Sequence, residues 1–334
     1  MRILIVVDDF ERIFGGIEFQ ASRLRTGLQS LGYRVDLVPP SQAGVAIRQG
    51  YDRVLFEGVR RPALLRYFVR KRRSGGTRFY LATHGSFFVP PRIRELRSFG
   101  YSPELSDVLK VRFDRIFMSR ILKSMDRIFV MSDSEAVDVC QLFAIPDEKI
   151  QVIPHMIPEP ASPDSMAIPE LRTGENRYFL TVSRIDRRKN VVASVRAARL
   201  AHANLLIAGK DGGELDNVRR EIGRAGSTKI SYIGTVSEAV KAHLISGAIA
   251  VVIPSYFEGI PIILLEALRL GTPVISTRLS YAPPTEGVFL CDPTPESIAC
   301  EMTNLMKHSN RFQTLDYPSE KEVIDQYLQV FSDT

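Results

Sequence analysis

Short β-rich runs alternate with amphipathic helical stretches along almost the whole chain, and this alternation limits the fold more than any other feature. Six runs in the first half read as strands: Arg2 to Val7, Arg34 to Val38, Arg53 to Glu57, Phe79 to Ala82, Arg127 to Met131 and Ile150 to Ile153. Five follow in the second half: Tyr178 to Val182, Asn204 to Ala208, Ile230 to Ile233, Ile249 to Ile253 and Pro273 to Ser276. Helical spacing of apolar residues falls between them, as in Glu18 to Leu31, Glu135 to Phe143, Val191 to His202 and Glu238 to Ser246. Parallel strands need a crossover, usually a helix, so the pattern predicts parallel sheets covered by helices.

At 334 residues the chain exceeds one ordinary core and suits two. The break falls between Ile153 and Glu170, where Pro154, Pro158, Pro160, Pro163 and Pro169 forbid a continuous helix or inner strand. The expected division is a first α/β domain over 1–155, a Pro-rich linker over 156–170 and a second α/β domain over 171–316. A last helix, over 317–334, opens with Ser319 and Glu322 at capping-box spacing.

Apolar residues at 45% and charged residues at 25% describe a folded globular protein and exclude a disordered or fibrous chain. Cys140, Cys291 and Cys300 are too few and too far apart for a disulfide framework or a metal knuckle. The five histidines are isolated, so no protein-bound metal and no cofactor is expected. No apolar run approaches the ~20 residues of a membrane span, and the opening MRILIVVDDF reads as a strand, not a secretion leader. The expected setting is cytoplasmic.

Charge is uneven. Residues 1–155 hold 25 basic and 17 acidic side chains, net +8, which leaves the remainder at −2. Ten basic residues and no acid lie between Gly58 and Arg94, a patch suited to an anionic partner.

Open parallel sheets bind ligands beyond the carboxyl ends of their strands, so three loops carry the chemistry. Gly15 and Gly16 follow the first strand and lead into a helix, where backbone amides can approach a phosphate or a sugar closely; a tight turn needing only glycine is the alternative. Arg184 and Lys189 flank the loop SRIDRRKN, two fixed cations that can clamp a diphosphate, against the alternative of a solvated basic surface. The third loop is PSYFEGIP, followed by IILLEALRLGTPVIS. Pro261 suits the first helical position, and the free amides of Ile262 and Ile263 favour an anion at the loop mouth. Glu258 precedes this helix and Glu266 sits in its second turn. Glu266 lies among Leu264, Leu265, Ala267 and Leu268, and an acid in so apolar a helix needs a partner.

Glu258 and Glu266, with seven residues between them, resemble the E-x7-E pattern of retaining GT-B glycosyltransferases of the glycogen-synthase-like family 4. GGIE, THGS, VMSDSEAV, SRIDRRKN, LLIAGKDGG and ISYIGTVSE agree in order. The resemblance implies two Rossmann-like doubly wound domains facing across a cleft, and a sugar moved with retention from a nucleotide-diphosphate sugar to a hydroxyl acceptor. It implies a catalytic set of Glu258, His84, Arg184 and Lys189. Arg184 and Lys189 would neutralise the diphosphate, Glu266 would hold the ribose, and His84 would lie near the transferred sugar. Gly15, Gly16, Gly234, Val236, Gly259, Ile260, Ile262 and Ile263 complete the implied donor site, with the backbone around Gly234 and Val236 meeting the base. Fixed cations meet the leaving charge, so no metal is implied. Similar enzymes are thought to use front-face attack, which gives Glu258 a positioning and stabilising role. The chain departs from the pattern at Pro154-His155-Met156, where an asparagine-glycine turn is common, and after Thr277, where relatives carry a glycine-rich loop.

The acceptor is read from the basic domain. Residues 60–73 place Leu64, Leu65, Phe68 and Val69 among Arg66, Arg70, Lys71, Arg72 and Arg73, and Leu105 to Met125 mixes apolar and basic residues similarly. Such helices either dock on an anionic membrane or pack an apolar face on the sheet. The expected acceptor is therefore a glycan or a lipid-linked glycan at the inner membrane face. Two other classes are a noncatalytic nucleotide-sugar or nucleic-acid binder and a GT-B epimerase. No RNA-recognition motif or helix-turn-helix is present, so a nucleic-acid partner is not expected.

Overall fold

The computed structural model describes residues 1–7, 16–58, 76–84, 95–101, 118–157, 177–224, 229–280, 282, 285–308, 312 and 314–333. Two compact units divide the chain: Met1–Met156 with Pro318–Thr334, and Ile157–Tyr317. Most of the Pro-rich segment 156–170 lies outside the described residues, as do Gly15 and residues 60–73.

The first unit holds β1 (Arg2–Val7), α1 (Gly16–Ser30), β2 (Arg34–Val38), α2 (Pro40–Ile47), β3 (Arg53–Glu57), β4 (Arg78–Ala82), β5 (Arg127–Val130), α3 (Asp133–Phe143) and β6 (Ile150–Val152). Its strands are all parallel, in the order β2-β1-β3-β4-β5-β6. In β1, Ile3 to Val7 are all buried, as a strand covered by helices on both faces requires. The chain crosses from β2 past β1 to β3, so strand order reverses between β1 and β3.

The last helix, α9 (Glu320–Ser332), belongs to this unit. Ser319 and Glu322 form the capping box, and Val323, Ile324, Tyr327 and Phe331 make its buried face. The Phe331 ring meets Tyr80 of β4 edge-on at 4.9 Å, and Tyr327 meets Phe129 of β5 at 5.0 Å. Arg53 of β3 donates from Nε to the Phe331 carbonyl at 2.8 Å, which satisfies an end-of-helix acceptor. Burying Phe331 fully contributes about 2–3 kcal/mol.

The second unit repeats the plan with β7 (Tyr178–Val182), α4 (Val191–Leu200), β8 (Asn204–Ala208), α5 (Leu215–Gly223), β9 (Ile230–Tyr232), α6 (Glu238–Gly247), β10 (Ala250–Ile253), α7 (Ile262–Arg269), β11 (Val274–Thr277), β12 (Val288–Cys291) and α8 (Pro295–Lys307). Its parallel order is β12-β11-β10-β7-β8-β9, which reverses between β7 and β10. β12 is absent from the strands expected above. It is a short edge strand, VFLC, apolar throughout although three of its four residues are incompletely buried.

Candidate functional site

A crevice forms where the order of an open parallel sheet reverses, and the loops at the carboxyl ends of those two strands line it. In the second unit these are the loops after β7 and β10, which carry Arg184, Lys189 and Glu258. Asp186 organises the first loop. Its Oδ1 accepts from the Lys189 amide at 3.0 Å, and its Oδ2 takes Arg184 Nε at 2.8 Å and the guanidinium terminus at 2.7 Å. Asn190 then turns into α4 with a left-handed φ of 52°, and its amide bonds the Pro254 and Pro293 carbonyls at 3.1 Å each. The Tyr256 amide donates to the Arg188 carbonyl at 2.9 Å, joining the two loops.

Glu258 sits at that junction, with 9% of its side chain exposed. Oε2 pairs with Arg188 at 2.7 Å, while Oε1 accepts from Ser255 Oγ at 2.8 Å and from Lys189 Nζ. Burial raises the carboxyl pKa, but Lys189 and Arg188 outweigh it and hold Glu258 at about 2. Burial lowers the Lys189 pKa, with the Arg188 charge adding to it, against the pull of Glu258. Arg188 and Lys189 share the Glu258 carboxylate, and Asp186 also acts on Lys189.

Arg188 is the cation that sequence reasoning passed over. Three basic residues in a row, Arg187 to Lys189, present no pattern that selects one. The short 3₁₀ turn over Arg187–Lys189 does so, placing Arg188 above the Phe257 ring at 5.6 Å and within 3.1 Å of its carbonyl. Arg184 is spent on Asp186 at one edge, and its side chain remains 58% exposed.

Helix α7 starts at Ile262, one residue later than expected, with Pro261 as its N-cap. The amides of Ile262 and Ile263 fall in its first turn, where no intrahelical acceptor exists. Gly259 and Ile260 lie in the loop directly before it. Glu266 is buried and has the partner its surroundings require: Lys241 of α6 donates to Oε1 at 2.9 Å and also meets Glu238 at 2.7 Å. Burial raises the Glu266 pKa, and Lys241 offsets only part of that rise. Its second oxygen, Oε2, is buried with no hydrogen-bond partner among the described residues. Gly234 follows β9 with φ +80°, its carbonyl accepting from the Gly209 amide at 2.8 Å, and Val236 lies half-buried beside it.

In the first unit Gly16 is the first residue of α1. His84 directly follows β4 and Thr83, and its Nε2 meets Glu57 Oε2 from the end of β3. The His155 ring, from beyond β6, stacks on His84 at 5.4 Å and 8°. Among the described residues no group of three or more His, Cys, Asp or Glu is arranged to hold a metal ion, and no helix is long and apolar enough to cross a membrane.

Sucrose-phosphate synthase from Thermosynechococcus elongatus superposes on the chain with a TM-score of 0.78, covering 99% of it and 95% of that protein at 16% identity. The chain has the GT-B fold. Anabaena Alr3699/HepE, solved in complex with UDP and glucose, shares this GT-B plan with a TM-score of 0.68 at 14% identity, over 100% of the chain and 95% of that protein. Residues 166–321, which include both site loops of the second GT-B domain, match the family model described as glycosyl transferases group 1. The O-antigen chain mannosyltransferase B of Escherichia coli is 26% identical over 224 residues, 61% of this chain and 58% of that one. The chain thus spans under two thirds of the curated relatives it matches.

Proposed function

We propose that the protein is a retaining, metal-independent glycosyltransferase that moves a hexose from a nucleotide-diphosphate sugar to a hydroxyl of a glycan or lipid-linked glycan. The observation that carries this reading is the Arg188–Glu258–Lys189 cluster at the start of α7, inside the residues that match the glycosyltransferase model.

Arg188 and Lys189 gather cationic charge around Glu258 ahead of a helix N-terminus. A diphosphate would meet these cations and take the first-turn amides of α7. Glu258 orients Lys189 and Arg188, and Arg184 contributes the exposed part of its guanidinium. Glu266 offers Oε2 to a ribose hydroxyl, which would satisfy its buried acceptor. In the transfer the bond between the anomeric carbon and the phosphate oxygen breaks. The acceptor oxygen bonds that carbon on the same face, and its proton passes to the departing phosphate. Charge growing on the leaving group meets fixed cations and amides, which lowers the barrier without a divalent ion.

The E. coli relative acts, by its name, on an O-antigen chain, and the excess of basic residues in the first half suits an acceptor anchored in an anionic membrane. Residues 60–73 are the proposed contact. The reading is tested by thermal stabilisation with UDP, GDP, ADP and their sugars in EDTA, followed by turnover of the sugar that binds. One nucleotide series stabilising the protein, with sugar transferred to an anomer of unchanged configuration, supports it. No stabilisation by any nucleotide, or inversion of the anomer, overturns it.

A further inference from the structure

Four buried hydroxyls stand behind Glu258, at the carboxyl ends of β10 and β11: Ser255, Ser276, Thr277 and Ser280. The ladder between these strands ends at Ile253 and Ser276. Beyond it, Thr277 Oγ1 donates to the Ser255 carbonyl at 2.7 Å, so a side chain continues the pairing where the backbone stops. Ser280 Oγ donates to the Thr277 carbonyl at 2.7 Å and lies 2.9 Å from Ser276 Oγ. A hydroxyl has one proton, so Ser276 is the donor in that second contact. The backbones of Glu258 and Ser280 meet in an isolated parallel bridge. The stretch after Thr277, where the sequence departs from the family pattern, therefore turns back onto the Glu258 loop.

Ser255 gives its own proton to Glu258 Oε1 at 2.8 Å. Lys189, Arg188 and Ser255 thus all hold this carboxylate, and they differ in kind. Lys189 and Arg188 are cations, and a diphosphate competes with Glu258 for both. Ser255 carries no charge for a diphosphate to draw, and the Thr277 hydroxyl pins its backbone. Without that anchor the carboxylate would follow its cations toward the phosphates and compete with them. Buried hydroxyls are costly unless each is paired, and alanine or valine would fill the same space without that demand.

We propose that Ser255 is a positioning residue that keeps Glu258 against the end of the second sheet while Arg188 and Lys189 take up a diphosphate. Thr277 acts through the Ser255 carbonyl to hold Ser255 in place. The identity of the anion rests on the glycosyl-transfer reading above.

The experiment is isothermal titration calorimetry of the full chain with UDP, GDP and ADP, well below the unfolding temperature. Ser255→Ala is expected to bind the nucleotide that wild type selects about tenfold more weakly, as the loss of one hydrogen bond to a charged group implies. In a Glu258→Gln background the same change is expected to cost nothing, because a neutral side chain does not compete for the cations. Thr277→Val keeps the shape, loses the hydroxyl and is expected to bind about three- to tenfold more weakly, whereas Thr277→Ser restores wild-type affinity. Wild-type affinity in Ser255→Ala, a tenfold loss that persists beside Glu258→Gln, or Thr277→Ser binding as weakly as Thr277→Val each overturns the proposal. A wild-type protein that binds none of the three nucleotides overturns the glycosyl-transfer reading, and the role of Ser255 with it. If Ser255→Ala or Glu258→Gln does not fold, the contrast between Thr277→Val and Thr277→Ser decides.

Discussion

Replacing Glu258 by Gln keeps the shape of the side chain and removes the carboxylate that pairs with both Arg188 and Lys189. The carboxyl falls from an ordinary 4.5 to about 2 in the folded protein. That drop corresponds to about 3 kcal/mol of stability at pH 7. Lys189 is shifted the unfavourable way by its burial, which offsets part of the gain, so the expected net loss in the variant is about 2 kcal/mol. For a unit of this size it lowers the melting temperature by roughly 4–8 °C. The pH dependence follows from the depressed pKa. The contribution is complete above the unfolded pKa of 4.5 and disappears as pH falls through about 2. The difference between wild type and variant therefore narrows from pH 7 to about 1 kcal/mol or less at pH 3. Thermal and urea unfolding of both proteins at pH 7, 5 and 3 measure it. Equal stability at pH 7, or a difference that stays constant down to pH 3, refutes the ion-pair argument.

Glu266→Gln keeps the buried shape but leaves Lys241 without one of its two carboxylates, and it is expected to weaken nucleotide binding about tenfold, read by the thermal shift with UDP, GDP or ADP. Gly209→Ala forces a Cβ against the backbone carbonyl of Ser183 at a φ of +142°, and an unfolding free energy lower by at least about 2 kcal/mol is expected from urea denaturation. A variant as stable as wild type would sink that account of the β8 turn. Ser319→Ala removes the capping box of α9 and is expected to cost about 1 kcal/mol, with faster amide hydrogen exchange along Val323 to Phe331; unchanged exchange would show that the packing of Tyr327 and Phe331 alone holds the helix.

The strands were legible because inner strands of a parallel sheet are buried on both faces, so Ile3 to Val7 or Ala250 to Ile253 read as unbroken apolar runs. The start of the last helix read from chemistry of equally short range, Ser319 with Glu322, while the caps Ser132, accepting from the Glu135 amide, and Ser237, accepting from Val240, emerged only in the structure. β12 escaped although VFLC is an unbroken apolar run, because four apolar residues between turns carry no periodicity that marks a strand. Glu266 was legible as an acid stranded on an apolar helix face, which demanded a partner. That the partner is Lys241, 25 residues earlier, was not.

Local rules of periodicity, capping and charge thus settled, from the order of residues alone, that this chain folds as parallel sheets under helices and that its carboxylates and cations crowd the loops after particular strands. Which charges meet was decided by tertiary structure. Two sheets reverse their strand order, bringing β7 beside β10 and β1 beside β3, so loops about 70 residues apart in the second unit share one corner. There Glu258 takes Arg188 and Lys189 while Asp186 takes Arg184. In the first unit the same packing closes Glu57 onto His84 and lays His155 over it. Such pairings depend on side-chain direction at strand ends and on burial, and neither is written in the spacing of residues along the chain.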